Sequence, residues 1–372
     1  MRGELGSEAR REDGGAAPGD VGGAFARVWG REFPRHHGRS AADEYVRATT
    51  ACVVVDHDWR GVLDLSGERA ADLVGRLLTR WPPPSAPGGG PSRRGVDAAL
   101  LSAKGRLIAA FQAHQLGPVS FRLVLPEPMR EFVTTAFGRY AFLDDVAVEN
   151  RAGELGIVAL LGPRAADVLS AVGAGVPGAL LECRDARVAG VDVEIVRSAE
   201  SGAITGFELW VPRDGAAAVR SELLARAVAI GGAALGWDAS EALRIEAGRT
   251  RWGVDYDDDC FPAEVHQEHR LSFDRCYVGQ EVAARLRTYG HVNRRLVWLH
   301  AAAGSSLEAG ARVLAGGEEA GRVTSVCESF ARGVPLAIAM VKRKYGESDE
   351  VSVEGGASVV LTELPGREDC ET

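Results

Sequence analysis

Two stretches of this chain repeat one pattern. Gly67-Glu68-Arg69-Ala70-Ala71-Asp72-Leu73-Val74 matches Gly162-Pro163-Arg164-Ala165-Ala166-Asp167-Val168-Leu169. Each follows an apolar run (residues 61–65 and 156–161) and leads into a segment with helical spacing, so both read as strand, turn, helix. Further on, Phe121-Arg122-Leu123-Val124-Leu125-Pro126 has a counterpart in Phe207-Glu208-Leu209-Trp210-Val211-Pro212. Both alternate like half-buried strands, stop at Pro, and precede another helical stretch. For a single matched turn in an Ala-rich chain, coincidence is the competing explanation. Two matched blocks in the same order predict a duplicated, two-lobed α+β body.

After about residue 297 the character changes. Short apolar runs (296–299, 311–314, 321–326, 337–341, 351–353 and 358–361) alternate with Gly-rich turns, which predicts a small β-barrel or sandwich. The expected layout is a disordered tail over 1–25, a first lobe over 26–150, a second over 151–290 and a C-terminal β-barrel domain over 291–372. The Pro- and Gly-rich stretch 82–91 reads as an exposed loop.

Composition narrows the class. A chain of 372 residues with 46% hydrophobic and 26% charged residues is long enough for two or three globular cores. No apolar run approaches the roughly 20 residues that a membrane-crossing helix needs. The first 24 residues are rich in Gly, Arg and acids and read as neither signal peptide nor mitochondrial presequence. A net charge of −9 argues against broad, nonspecific nucleic-acid binding, which relies on many Lys and Arg contacts to phosphate. The six cysteines show no CxxC spacing, which fits a reduced, cytoplasmic setting.

The chemistry concentrates in residues 243–295. Leu243-Arg244-Ile245-Glu246-Ala247-Gly248 reads as a helix end closed by Gly248. A carboxylate-rich turn, Asp255-Tyr256-Asp257-Asp258-Asp259, follows, and then Cys276-Tyr277-Val278-Gly279-Gln280-Glu281 before a helical run over 282–286. Cys276 is thus expected just ahead of a helix N-terminus and beside Arg275, two features that favour thiolate over thiol. An unreactive cysteine at a loop-to-helix junction is the other reading that these residues allow.

This segment resembles the signature of the YgfZ family, Lys-Gly-Cys-Tyr/Phe-x-Gly-Gln-Glu, at Cys276, Tyr277, Gly279, Gln280 and Glu281; either Asp274-Arg275 stands in place of Lys-Gly or one residue has been lost after Phe273-Asp274. Residues 61–79, Lys104-Gly105-Arg106, residues 243–248 with Gly253-Val254-Asp255, Gly321-Arg322-Val323-Thr324-Ser325 and Arg343-Lys344-Tyr345 are similar to other parts of that family. The superfamily also holds the glycine-cleavage T-protein, an aminomethyltransferase, and the folate-binding parts of sarcosine and dimethylglycine dehydrogenases. The resemblance implies a two-lobed body with a central tetrahydrofolate pocket and an added β-domain. It further implies an accessory role in iron–sulfur cluster assembly or repair, with client enzymes that include tRNA-modifying radical enzymes, and Cys276 as the reactive thiol. The alternatives are a tetrahydrofolate-dependent one-carbon transferase and a scaffold that has lost its folate.

Folate chemistry gives the candidates roles. A pterin presents adjacent N–H donors, which suit a carboxylate accepting two hydrogen bonds. Glu208, in Gly206-Phe207-Glu208, points away from its apolar neighbours and is the expected acceptor, with a solvated strand-face glutamate as the plainer reading. Arg244 is expected either to meet the folate's glutamyl carboxylate or to pair with Glu246 or another helix acid. Glu246, Tyr277 and Gln280 complete the expected cofactor contacts. In the T-protein an acidic pair follows a Gly-Gly segment of the first domain, and catalysis depends on an acid there. Ala109-Ala110 occupies that place here, which argues against aminomethyl transfer.

Other constellations are weaker. Cys260, His266, His269 and Cys276 fit no zinc spacing, and no metal is expected. Residues 255–259 lack the Gly and the Glu of a calcium loop. Arg285, Arg287, His291, Arg294 and Arg295, with Tyr289, form either a solvated basic face or a contact for RNA or an acidic protein.

Overall fold

The structure, a computed structural model, describes residues 24–57, 59–82, 92–198, 204, 206–346 and 350–365. Most of the tail expected over 1–25 and of the loop expected over 82–91 lies outside the described residues.

The described residues begin with a hairpin, β1 (Phe25–Val28) and β2 (Arg31–Pro34), then α1 (Ala41–Thr50) and β3 (Val53–Asp56). The first repeat follows: β4 (Arg60–Ser66), α2 (Ala70–Leu77), β5 (Ser92–Leu101), β6 (Leu107–Gly117), β7 (Ser120–Pro126) and α3 (Arg130–Asp144). After β8 (Ala147–Asn150) the same series returns as β9 (Leu155–Leu161), α4 (Ala165–Ala171), β10 (Glu182–Val188), β11 (Val191–Ser198), β12 (Gly206–Pro212) and α5 (Ala216–Ala229). Next come β13 (Ala233–Ala234), α6 (Trp237–Glu246) and α7 (Gln280–Tyr289). The strands β14 (Arg294–Ala301), β15 (Arg312–Ala315), β16 (Glu318–Ser329), β17 (Val334–Lys342), β18 (Val351–Val353) and β19 (Ala357–Glu363) close into a barrel. Each apolar run read after residue 297 is one of these six strands.

The duplication is visible in the strand order, β13-β3-β9-β12-β11-β10-β5-β6-β7-β4-β8. Read outward from the β10–β5 seam, one half runs β5-β6-β7-β4-β8 and the other β10-β11-β12-β9-β3. These are the same positions of the repeat, with one exchange. β8, which leads into the second repeat, pairs with β4 of the first, and β3, which leads into the first, pairs with β9 of the second. The halves are therefore interlocked.

Alternation along the strands sets two faces. In β6, Ala109, Phe111 and Ala113 join Leu63, Leu65, Leu73 and Phe137 in a core under α2 and α3. In β12, Phe207, Leu209 and Val211 do the same with Val168, Leu169, Val219 and Leu223. The opposite faces of the half-sheets turn toward each other and meet in a third cluster of Val62, Val124, Ile157, Val196 and Trp210. Charged and polar residues of the same faces, Arg60, Gln112, His114, Arg122 and Glu208, are buried between the lobes.

The repeated glycines have one steric reason. Gly67 has φ +141° and Gly162 has φ +128°. A Cβ on Gly67 would lie 2.6 Å from the Asp145 carbonyl oxygen, just before β8, and one on Gly162 would lie 2.5 Å from that of Ala51, just before β3. Each glycine lets the exchanged strand approach. Gly67→Ala and Gly162→Ala are each expected to destabilise the protein by about 2 kcal/mol, from the backbone strain alone; urea unfolding midpoints check this, and Gly153→Ala, with open space around it, serves as the control.

Candidate functional site

α6 is the floor of the site. Its residues Trp237, Ala239, Ala242, Leu243, Arg244 and Ile245 are buried, and the chain leaves it through Gly248 at φ +64°. Arg244 donates to Glu241 one turn earlier and to Asp255 at 2.8 Å, to the Arg249 carbonyl oxygen at 2.7 Å and to the Ser325 hydroxyl at 2.9 Å. Its partners are thus a helix acid and the carboxylate-rich turn, and the acid is Glu241 rather than Glu246. Asp255 accepts four hydrogen bonds: Arg244 and the Arg251 N–H on one oxygen, the Thr324 and Ser325 hydroxyls on the other. This cluster fastens α6 to the barrel.

Two cavities adjoin above this floor. The outer one, 380 Å³, is walled by Phe33, Pro34, His37, Val55, Trp59 and Trp237. The inner one, 70 Å³, is bounded by His57, Arg60, Ala110, Arg249, Arg251, Trp252, Tyr256 and Arg270, among others. Trp59 and Ser240 belong to both walls. Between them lies Arg251, whose guanidinium stands over three indole rings, 4.7 Å from Trp237, 5.6 Å from Trp59 and 5.9 Å from Trp29. It pairs with Glu241 at 2.5 Å. Burial lowers its pKa to about 10, against the opposing pull of Glu241.

Glu208 is fully buried, on the face that alternation predicts, which rules out a solvated strand-face glutamate. Its Oε1 accepts from Arg60 Nη1 at 3.0 Å and lies 3.3 Å from His57 Nδ1. Arg60 and His57 form the wall of the inner cavity, and Glu208 stands behind them. Beside it, His114 packs edge-on against Trp210 at 4.8 Å. Neither ring nitrogen of His114 has a hydrogen-bond partner among the described residues, and burial pushes its pKa down to about 3, so the ring is neutral at physiological pH.

Of the Ala109-Ala110 pair, Ala110 lines the inner cavity while Ala109 packs into the first core. An acid does stand on the same face one strand over. Asp97 of β5 pairs in register with Gln112, two residues along from the Ala99–Ala110 pair. Its carboxylate is held by Arg270 at 2.9 Å.

The other expected contacts lie away from the cavities. Glu246 accepts from the Tyr45 hydroxyl at 2.5 Å and the Ser329 hydroxyl at 2.6 Å, tying α6 to α1 and the barrel. Tyr277 is buried in the core that joins lobe and barrel, with Ala99, Leu107 and Leu296. Gln280 opens α7 and donates back to the Arg275 carbonyl oxygen. Gly279 caps α7 at φ +84°, where a Cβ would strike the Ser102 carbonyl oxygen. Cys276 is exposed, four residues before the first residue of α7, outside the first turn where a helix dipole acts. Arg275 lies over the Trp81 ring at 5.4 Å. Cys260 and His266 serve separate bonds, His266 Nε2 lying 3.1 Å from the Leu296 carbonyl oxygen. Sequence reasoning missed Trp59, Trp237, Arg251 and Arg270. The arginines around Gly248 and Trp252 were the available signal, but nothing in their spacing tells which of them point inward.

No helix among the described residues is long and apolar enough to cross a membrane. Residues 10–275 match the family model of the GCVT N-terminal domain, and residues 294–363 match that of the glycine cleavage T-protein C-terminal barrel domain. Among curated proteins, an aminomethyltransferase of Stenotrophomonas maltophilia is 26% identical over 343 residues, covering 90% of this chain and 89% of the relative. One from Rubrobacter xylanophilus is 29% identical over 341 residues, covering 90% and 86%. Among solved structures, the glycine cleavage system aminomethyltransferase T from Bartonella henselae superposes with a TM-score of 0.78 at 20% identity, covering 91% and 92% of the two chains.

Two outcomes follow from the geometry. Arg244→Met leaves Glu241 and Asp255 short of a buried partner and is expected to cost about 3–5 kcal/mol in urea unfolding. Burial raises the thiol pKa of Cys52 to about 11, of Cys183 to about 12 and of Cys260 to about 11, and raises that of Cys327 as well. Iodoacetamide at pH 8, read by peptide mass spectrometry, is therefore expected to alkylate Cys276 well before these four.

Proposed function

The chain belongs to the glycine-cleavage T-protein family, and from that premise we propose that it binds a tetrahydrofolate in the outer cavity, between the N-terminal hairpin, the β3–β4 turn and α6. The observation that carries this reading is the 380 Å³ cavity walled by Phe33, Trp59 and Trp237, a volume and lining suited to a flat heteroaromatic ligand. The residues present fit a folate with one revision. Glu208 faces Arg60 and His57, so in this reading it positions those two donors on the wall of the inner cavity, in place of meeting the pterin itself. A bound tetrahydrofolate would supply its ring nitrogens as carriers of a one-carbon unit. The protein's part is to hold the rings between tryptophans, keep Arg60 and His57 oriented, and exclude water with Arg251 and Trp252.

The names of the relatives favour aminomethyl transfer as the activity. A second reading rests on Ala110. It is the member of its pair that faces the cavity, and it puts no carboxylate where the family's enzymes need one. With Cys276 exposed on the surface, that favours an accessory role of the YgfZ type, in support of iron–sulfur proteins.

Calorimetric titration with tetrahydrofolate tests the shared premise. Binding by the wild type, weakened at least tenfold by Trp59→Ala, is the expected result; no binding at millimolar ligand sinks both readings. Transfer assays with an aminomethyl donor then divide them. Methylene transfer by the wild type supports the enzyme, and no transfer by a chain that binds tetrahydrofolate supports the accessory reading.

A further inference from the structure

We propose that the inner cavity is an oxyanion site, built to take a carboxylate or phosphate group. Its wall holds five arginines, Arg60, Arg244, Arg249, Arg251 and Arg270, and no aspartate or glutamate. The acids that accompany these arginines are set behind them: Glu208 behind Arg60, Glu241 and Asp255 beneath Arg244 and Arg251, Asp97 behind Arg270. Arg244 spends its five N–H groups on Glu241, Asp255, Ser325 and the Arg249 carbonyl oxygen, so the cationic wall toward a ligand is made by the other four arginines, with Ser240, Thr250 and Gln267 adding neutral polar groups. A pterin edge that itself offers N–H donors matches such a wall poorly, and an oxyanion matches it well.

Size gives the same answer. At about 10–15 Å³ of such volume per water, 70 Å³ holds about five waters. That is room for a carboxylate or phosphate group, far below the roughly 300 Å³ at which small-molecule pockets begin. The group entering it is thus one end of a larger ligand, whose body occupies the adjoining 380 Å³ between aromatic walls. Arg251 stands where the cavities meet. Its three indoles fix the guanidinium plane, and its burial costs a desolvation that an incoming anion offsets.

This inference goes beyond the folate reading and does not depend on it. The full-length chain is titrated calorimetrically with inorganic phosphate and, separately, with glutarate. Arg251→Met, Arg249→Met and the surface control Arg285→Met are run beside the wild type. The expected result is saturable binding to the wild type and to Arg285→Met, weakened at least tenfold in Arg251→Met and Arg249→Met. Two variants are used so that a folding failure in one leaves the other to decide. Tighter glutarate assigns the site to a carboxylate-bearing ligand, and tighter phosphate assigns it to a phosphorylated one. The proposal is overturned if neither oxyanion binds at tens of millimolar, or if a folded Arg251→Met or Arg249→Met binds like the wild type. A chain that binds tetrahydrofolate but neither oxyanion loses this inference and keeps the folate reading.

Discussion

The site rests on the carboxylate of Asp255. Buried in a low-dielectric interior, a carboxylate is tolerated only with its lone pairs engaged, and Asp255 has four partners. Two belong to the loop and helix below the cavities, Arg251 and Arg244. The other two, Thr324 and Ser325, belong to the barrel. One side chain thus sets the position of α6, the path of the chain after Gly248 and the seating of the C-terminal domain. The Trp298 indole N–H, donating to the Ile245 carbonyl oxygen at 2.8 Å, reinforces that seating. The barrel is then part of the site's support, although its strands lie outside both cavity walls.

The second organising fact is a duplication that has diverged in charge. Arg122 and Glu208 occupy equivalent places in β7 and β12, each after a buried Phe and facing between the lobes. One is a cation and the other an anion. Arg122 is used up on Asp64 and Glu194, and it lies over Trp210 at 5.3 Å. Glu208 is turned to Arg60 and His57. The pseudo-symmetric fold has therefore yielded an asymmetric seam, with structural ion pairs around Arg122 and an arginine-walled cavity bounded by residues of β4, β6, β7 and α6.

Much of this was legible in the sequence because it depends on local patterns. The matched Gly-x-Arg-Ala-Ala-Asp turns, the Pro-terminated strands and the six short C-terminal runs are short-range signals, and each became a named element. The side on which Glu208 faces followed from period-two alternation. Partners did not follow. Arg244 and Asp255 are eleven residues apart, yet Thr324 and Ser325, which complete their cluster, come from another domain. Arg251 and its tryptophans are drawn from the hairpin, the β3–β4 turn and α6, elements that only the tertiary fold brings together. Cys276, the most conspicuous residue of the segment that resembles the YgfZ signature, lies on the surface, and Tyr277 beside it serves a core. In this chain the segment packs at Tyr277 and Gly279, and both cavities are lined by residues that precede it in sequence.

The most direct test is a crystal structure of the chain soaked or grown with tetrahydrofolate. The account predicts ligand density with a ring system between Trp59 and Trp237 and a carboxylate reaching the arginines of the inner cavity, Glu208 still turned to Arg60. Density elsewhere on the molecule, or a pterin seated directly on Glu208 with Arg60 displaced, would contradict it.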